Sequence, residues 1–179
     1  MRSALACCLG WALACAPAAA KKPRPLWGAV TRFEDSVVAF DCPEGFAPRR
    51  VSDISADHAV AASAGGLTLT VLVGTQPVAE VDPLQVASRW HTARVRNRVS
   101  WGVRAEGGPP AEAFRLGERR VVRYRDRVGS AIGATEQTMT CGLLNGRPFC
   151  VVTSGPESSR DRADGLAEAV IGSLRLRLR

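Results

Sequence analysis

Two histidines, His58 and His91, are the first candidates for acid–base chemistry in this chain. A serine hydrolase brings together a nucleophile, a histidine base and an orienting acid, and its nucleophile often lies in a G-x-S-x-G turn. The chain has no such turn, and neither histidine lies in a motif that implies catalysis. The sequence therefore favours a non-catalytic protein. The alternative is a small extracytoplasmic hydrolase whose site combines dispersed acids with His58 or His91.

Metal and nucleotide sites need particular spacings, and this sequence lacks them. Zinc ligands commonly come as C-x2-C or H-x3-H pairs, and neither occurs here. The sequence also has no P-loop and no dinucleotide-binding glycine motif. We therefore expect no metal, no cofactor and no nucleic-acid partner.

The segment TMTCGLLNGRPFCVV contains the most specific local signal, a pair of cysteines around a tight turn. Asn145-Gly146 is the preferred pair for a two-residue type I′ turn, and it lies between two apolar runs. In such a hairpin Cys141 faces Cys150, in a non-hydrogen-bonded pair where side chains approach most closely. We predict a disulfide between them in an oxidising compartment, with two reduced core cysteines as the alternative.

Cys42 is then the remaining cysteine beyond the N-terminal segment. We interpret it as a small buried hydrophobic residue. The alternatives are an intermolecular disulfide, or a pairing with Cys141 or Cys150 in place of the hairpin bridge.

Two predicted strands carry arginines at alternate positions. Because successive side chains of a β-strand point to opposite faces, Arg123, Arg125 and Arg127 share one face of the first strand. Arg175 and Arg177 likewise share one face of the last strand. If the two strands are neighbours, their exposed faces form a basic stripe suited to an anionic surface or an acidic envelope protein. The alternative is a solvated face that discourages edge aggregation. The formal net charge of +7 permits either.

The N-terminus has the charged, apolar and small-residue order of a secretory signal peptide. We predict a signal peptide over residues 1–20, an N-terminal tether over residues 21–32 and a single domain over residues 33–179. The protein is then exported, to the periplasm or beyond. A second interpretation is a lipoprotein, with Cys15 lipidated and the membrane reached only through that anchor.

Hydrophobic periodicity predicts an α+β domain. Asp82 is a good N-cap for an amphipathic helix that runs to about Asn97, and Ser158 with Asp161 suggests the capping box of a second helix near the C-terminus. The predicted strands span residues 37–42, 58–63, 67–73, 113–116, 120–127, 135–143, 147–153 and 173–178.

A resemblance to a known family lies in the predicted order of strands and helices and in two segments, VVAFDCPEGF and GLLNGRPFCVVTSGP. In these features the chain resembles the PsbP-like group, which includes DcrB-type and LpqN-type exported proteins. The resemblance covers roughly Phe33 to Leu178. It implies a PsbP-like sandwich in which a single antiparallel sheet packs against two main helices. It also implies a non-catalytic accessory or binding role in the cell envelope. The family has no catalytic motif to transfer, and the pair of Cys141 and Cys150 is not expected of it.

Overall fold

The computed structural model describes residues 28–53, 56–79, 82–100, 104–107, 111–130 and 133–178. The predicted signal peptide, residues 1–20, and the lipidation candidate Cys15 lie outside this part of the chain. Among the described residues, no helix combines the length and the apolar character that a membrane span requires.

The described chain is α+β, and all of its strand pairs are antiparallel. The helices are α1 (Pro83–Ser100) and α2 (Arg160–Ser173), the second preceded by a 3-10 turn at Glu157–Ser159. The strands are β1 (Val30–Glu34), β2 (Val38–Pro43), β3 (Arg49–Val51), β4 (His58–Ala64), β5 (Leu67–Val73), β6 (Arg104–Gly107), β7 (Glu112–Leu116), β8 (Arg119–Ser130), β9 (Gly133–Leu144), β10 (Arg147–Gly155) and β11 (Arg175–Leu176).

The larger of the two sheets contains most of the predicted strands. Its order is β3-β4-β5-β10-β9-β8-β6, and β7 also pairs with β8. Asn145 and Gly146 both have positive φ, at 54° and 73°, which is the geometry of the type I′ turn between β9 and β10. Cys141 lies opposite Cys150 in this hairpin, and the two sulfurs form a disulfide.

The prediction of a single sheet is wrong, because the structure has two. A smaller sheet has the order β1-β2-β11. Both edges of β2 are paired, one with β1 and the other with β11, so neither edge can pair with the large sheet. Residues Val30 to Arg32 were predicted to belong to the tether, but they pair with β2. The structured chain therefore begins before Phe33.

Two smaller predictions near the C-terminus need correction. The last strand is two residues long, Arg175–Leu176, because α2 extends to Ser173 and Leu174 is its C-cap. The capping box of Ser158 and Asp161 does not form: the N-cap of α2 is Ser159, and no side chain caps the helix there.

The large sheet is buried on both faces, and alternate residues of its strands face opposite sides. One side, with the small sheet and α2, forms the larger core, which includes Phe40, Leu69, Val121, Phe149 and Leu166. The other side, with α1, forms a second core that includes Leu72, Ala87, Val122, Met139 and both disulfide cysteines. The disulfide therefore lies beneath α1.

Cys42 lies in the larger core and is fully buried. Its burial raises the pKa of its thiol to about 11. Cys42 has no disulfide partner among the described residues, as expected for a small buried hydrophobic residue, and the bond between Cys141 and Cys150 excludes its pairing with either of them.

A buried histidine connects the two sheets. His58 of β4 lies with its Nε2 atom 2.9 Å from Oδ2 of Asp35, in the turn between β1 and β2. The other oxygen of Asp35 accepts hydrogen bonds from the amides of Val37 and Val38, at 2.8 and 2.9 Å. Burial acts to raise the pKa of Asp35, but these hydrogen bonds and His58 outweigh it, and the net shift is downward.

The disulfide can be tested on one proteolytic fragment. Arg147 is followed by proline and resists trypsin, so digestion leaves both cysteines in a peptide from Val128 to Arg160. Digested under denaturing, non-reducing conditions, this peptide should be lighter than the reduced peptide by the mass of two hydrogen atoms. Replacing both cysteines by alanine should lower the free energy of unfolding by about 2–3 kcal/mol. A peptide of unchanged mass on reduction would contradict the bridge.

Replacing Asp35 by alanine should lower the free energy of unfolding by about 1–3 kcal/mol at pH 7, because two backbone amides lose their charged acceptor and His58 loses the carboxylate beside it. Since folding lowers the pKa of Asp35, this contribution is present above the ordinary value of 3.8 and is lost as pH falls through the folded value. Denaturant titrations between pH 3 and pH 7 measure it, with Glu44→Ala, an exposed carboxylate, as the control. A loss of stability that is independent of pH would contradict this assignment.

Candidate functional site

Arg123, predicted to be on an exposed basic face, is buried beneath α2. Its guanidinium donates hydrogen bonds to Asp164 at 3.0 Å, to Glu168 at 3.1 Å and to the hydroxyl of Thr140 at 3.1 Å. It also lies over the ring of Phe114, 4.6 Å from the centroid. Only 6% of Arg123 is exposed, so it is not available to a partner.

Arg125, two residues later, is held by the same helix. It donates two hydrogen bonds to the carboxylate of Asp164, at 2.9 and 2.7 Å, and lies 3.7 Å from Glu136. The bidentate contact with Asp164 raises the pKa of Arg125 above its ordinary value. The expected exposed stripe is therefore wrong for Arg123 and Arg125, since α2 covers this face and supplies the carboxylates that neutralise it.

Arg127 is the exposed member of this group. With Arg125 and Arg160 it lines a cleft of about 300 Å³, which also contains Asp126, Glu136 and Glu157. Arg160 already binds both Glu136 and Glu157. Because positive and negative groups alternate here, the cleft does not form a basic surface.

The arginines of the last strand lie in the other sheet, so the two arginine strands are not neighbours. Arg177 forms an ion pair with Glu34 of β1. Arg175 donates hydrogen bonds to the carbonyl oxygens of Gly172 and Leu174 at the end of α2. A continuous stripe of Arg123, Arg125, Arg127, Arg175 and Arg177 does not form, because α2 and the small sheet intervene. Whether Arg127, Arg175 or Arg177 meets a partner remains a prediction.

The outward face of α1 is also basic, although we did not predict from the sequence that it binds a partner. The helix contains four arginines and no acidic residue over Pro83–Ser100. One of them, Arg94, is tied to Asp53 at 2.8 Å. A shallow depression of about 620 Å³ runs along the outward face, lined by Leu84, Gln85, Ser88, Arg89, Thr92, Ala93 and Arg96. The absence of acidic residues from the helix was the signal that could have identified it.

Both histidines contact carboxylates and hold elements together. Nε2 of His91 lies 2.9 and 3.0 Å from the two carboxylate oxygens of the buried Asp126, and the imidazole stacks on Tyr124 at 4.4 Å between centroids. This contact joins α1 to β8, as His58 joins the two sheets. Neither histidine lines the cleft at Arg127 or the depression along α1. In the described parts of the chain, no three His, Cys, Asp or Glu side chains form a group that would hold a metal ion.

No protein-family model matches the chain, and neither does any curated protein sequence. Solved structures are more informative. The chain is similar to CyanoP, the cyanobacterial PsbP of Synechocystis sp. PCC 6803, with a TM-score of 0.61 and 18% identity, over 86% of this chain and 99% of CyanoP. A structure from Bacteroides thetaiotaomicron VPI-5482 has a TM-score of 0.50 and 10% identity, over 78% of this chain and 45% of that one.

LpqN of Mycobacterium tuberculosis, which is involved in cell envelope biogenesis, also shares part of this arrangement. The two structures align over 83% of this chain and 90% of LpqN, at 12% identity. The TM-score of 0.40 is too low to infer anything about this chain. The similarity to CyanoP shows the fold, and at 18% identity it shows the fold alone. The chain therefore has a PsbP-like fold, as the resemblance in its sequence implied.

Proposed function

We propose that this chain is an exported, non-catalytic accessory module of the cell envelope, and that it docks on an anionic phospholipid surface through the outward face of α1. The observation that carries the proposal is the charge of that face. Arg89 and Arg96 are exposed and two turns apart, and α1 itself contains no acidic residue.

The composition of the same face favours a lipid surface over an acidic protein. Leu84 is 45% exposed at the start of the helix, beside the arginines and not beneath them. A basic helix with an exposed apolar residue at one end is suited to the headgroup region, where phosphates meet the arginines and the leucine reaches the acyl boundary. Each arginine near an anionic membrane contributes about 1 kcal/mol to binding.

Charge elsewhere on the molecule is less suited to this role. The β8 arginines Arg123 and Arg125 are already bound by Asp164, and Arg177 is paired with Glu34. The predicted signal peptide and the resemblance to PsbP-like exported proteins both support a location where an envelope membrane is within reach. They also support an accessory role in preference to catalysis.

Sedimentation with lipid vesicles tests the proposal. The protein should bind vesicles of phosphatidylglycerol and phosphatidylcholine more tightly than vesicles of phosphatidylcholine alone, and binding should fall as salt rises. Replacing Arg89 and Arg96 by alanine should weaken binding about 30-fold, since two contributions of about 1 kcal/mol are removed.

The matched control is Arg162→Ala with Arg177→Ala, which removes the same two charges from α2 and the small sheet, on the opposite side of the large sheet. This pair should bind nearly as the unaltered protein does. Any contribution of the N-terminal segment is common to all variants. Equal loss in both double variants, or binding that does not depend on anionic lipid, would contradict docking through α1. Binding to an acidic protein but not to vesicles would replace the lipid by a protein partner.

A further inference from the structure

A cavity of about 650 Å³ lies at the end of the large sheet, next to the first residue of α1. It forms where the turn between β7 and β8, the end of β9 and the last turn of α2 meet. Its volume is within the range of small-molecule sites. Its apolar lining comes from Pro83, Leu116, Leu143 and Leu144.

Arginines form the polar side of this cavity. Arg119 and Arg120 line it, and the partly buried Arg119 donates hydrogen bonds to the carbonyl oxygens of Ile171 and Leu174 at the end of α2. Arg175 donates to the same oxygen of Leu174, so two guanidinium groups converge on one carbonyl, each with a nitrogen 2.9 Å from it.

The arginines described at this end of the molecule are not held in ion pairs. Within the described residues, no acidic side chain forms an ion pair with Arg119, Arg120 or Arg175. Two acids also line the cavity. The carboxylate of Glu168 is bound to Arg123 at 3.1 Å, and Glu118 is exposed and forms no ion pair among the described residues. Burial and the nearby Arg175 lower the pKa of Arg119. A bound anion would relieve this repulsion between like charges.

We propose that this cavity binds an amphipathic carboxylate, such as a long-chain fatty acid. The acyl chain lies against Leu116, Leu143 and Leu144, and the carboxylate accepts hydrogen bonds from Arg119 and Arg120. The cavity suits such a molecule because an apolar lining occurs in it together with two arginines that form no ion pair among the described residues. The proposal goes beyond membrane docking and does not depend on it, since the cavity shares no residue with the outward face of α1.

Calorimetric titration of the full chain with dodecanoate, below the concentration at which it forms micelles, tests the site. Arg120→Ala should weaken binding about tenfold or more, because one charge-assisted hydrogen bond is lost. Arg115→Ala is the matched control: it removes the same charge from an exposed position on the neighbouring strand β7, outside the cavity lining.

Gly172→Leu tests the cavity without changing its charge. A Cβ atom at Gly172 would meet no other atom within 4 Å, so the leucine side chain can enter the cavity while the helix is kept. This variant should abolish binding and leave the thermal midpoint of unfolding unchanged or higher, since leucine favours helix over glycine. Arg89→Ala with Arg96→Ala should leave dodecanoate binding unchanged, which separates this site from the docking face.

Three results would overturn the proposal. One is the absence of dodecanoate binding to the unaltered chain. Another is equal affinity for dodecanol, which lacks the charge. The third is dodecanoate binding that neither Arg120→Ala nor Gly172→Leu reduces. A peptide ending in leucine with a free carboxylate is titrated in parallel. If it binds where dodecanoate does not, the occupant is a protein carboxyl terminus and the fatty-acid assignment is wrong.

Discussion

The carboxylate of Asp164 on α2 binds both Arg123 and Arg125 of β8, and the rest of the arrangement depends on this contact. A sheet that is covered on both faces cannot bury arginines from its longest strands unless acidic groups meet them there, because an unpaired buried charge costs several kcal/mol. Asp164, with Glu168 beside it, meets that need and fixes where α2 lies on the sheet. The neighbouring apolar residues of α2, such as Leu166, then pack against the larger core.

This constraint also decides which surfaces remain for function. Of the arginines that the sequence suggests for a partner, Arg123 and Arg125 are neutralised beneath α2, whereas α1 contains four arginines and no acidic residue. At the other end, Arg119 and Arg175 cap the last carbonyl oxygens of α2. Among the described residues, the outward face of α1 and the cavity are thus the two sites to which we assign a ligand.

Local patterns predicted the elements well and their assembly less well. The turn at Asn145-Gly146 specifies the register of its hairpin, and that register brings Cys141 and Cys150 together, so the bridge followed from a few adjacent residues. Strand β1 was missed because it is largely exposed and polar, with no alternation to mark it. The second sheet depends on the pairing of β2 with β11, from opposite ends of the described chain, and the burial of Arg123 depends on Asp164, 41 residues away. No local periodicity encodes either contact.

A double-mutant cycle on Arg125 and Asp164 tests the central claim most directly. Arg125→Met, Asp164→Asn and the double variant are unfolded in denaturant, and the coupling is the departure of the double variant from the sum of the singles. The account predicts a coupling of about 1–3 kcal/mol, against less than about 0.5 kcal/mol for the exposed cross-strand pair of Arg32 and Asp41. If the coupling between Arg125 and Asp164 is no larger than that of the exposed pair, then α2 does not neutralise β8, and the assignment of basic surfaces made from it is wrong.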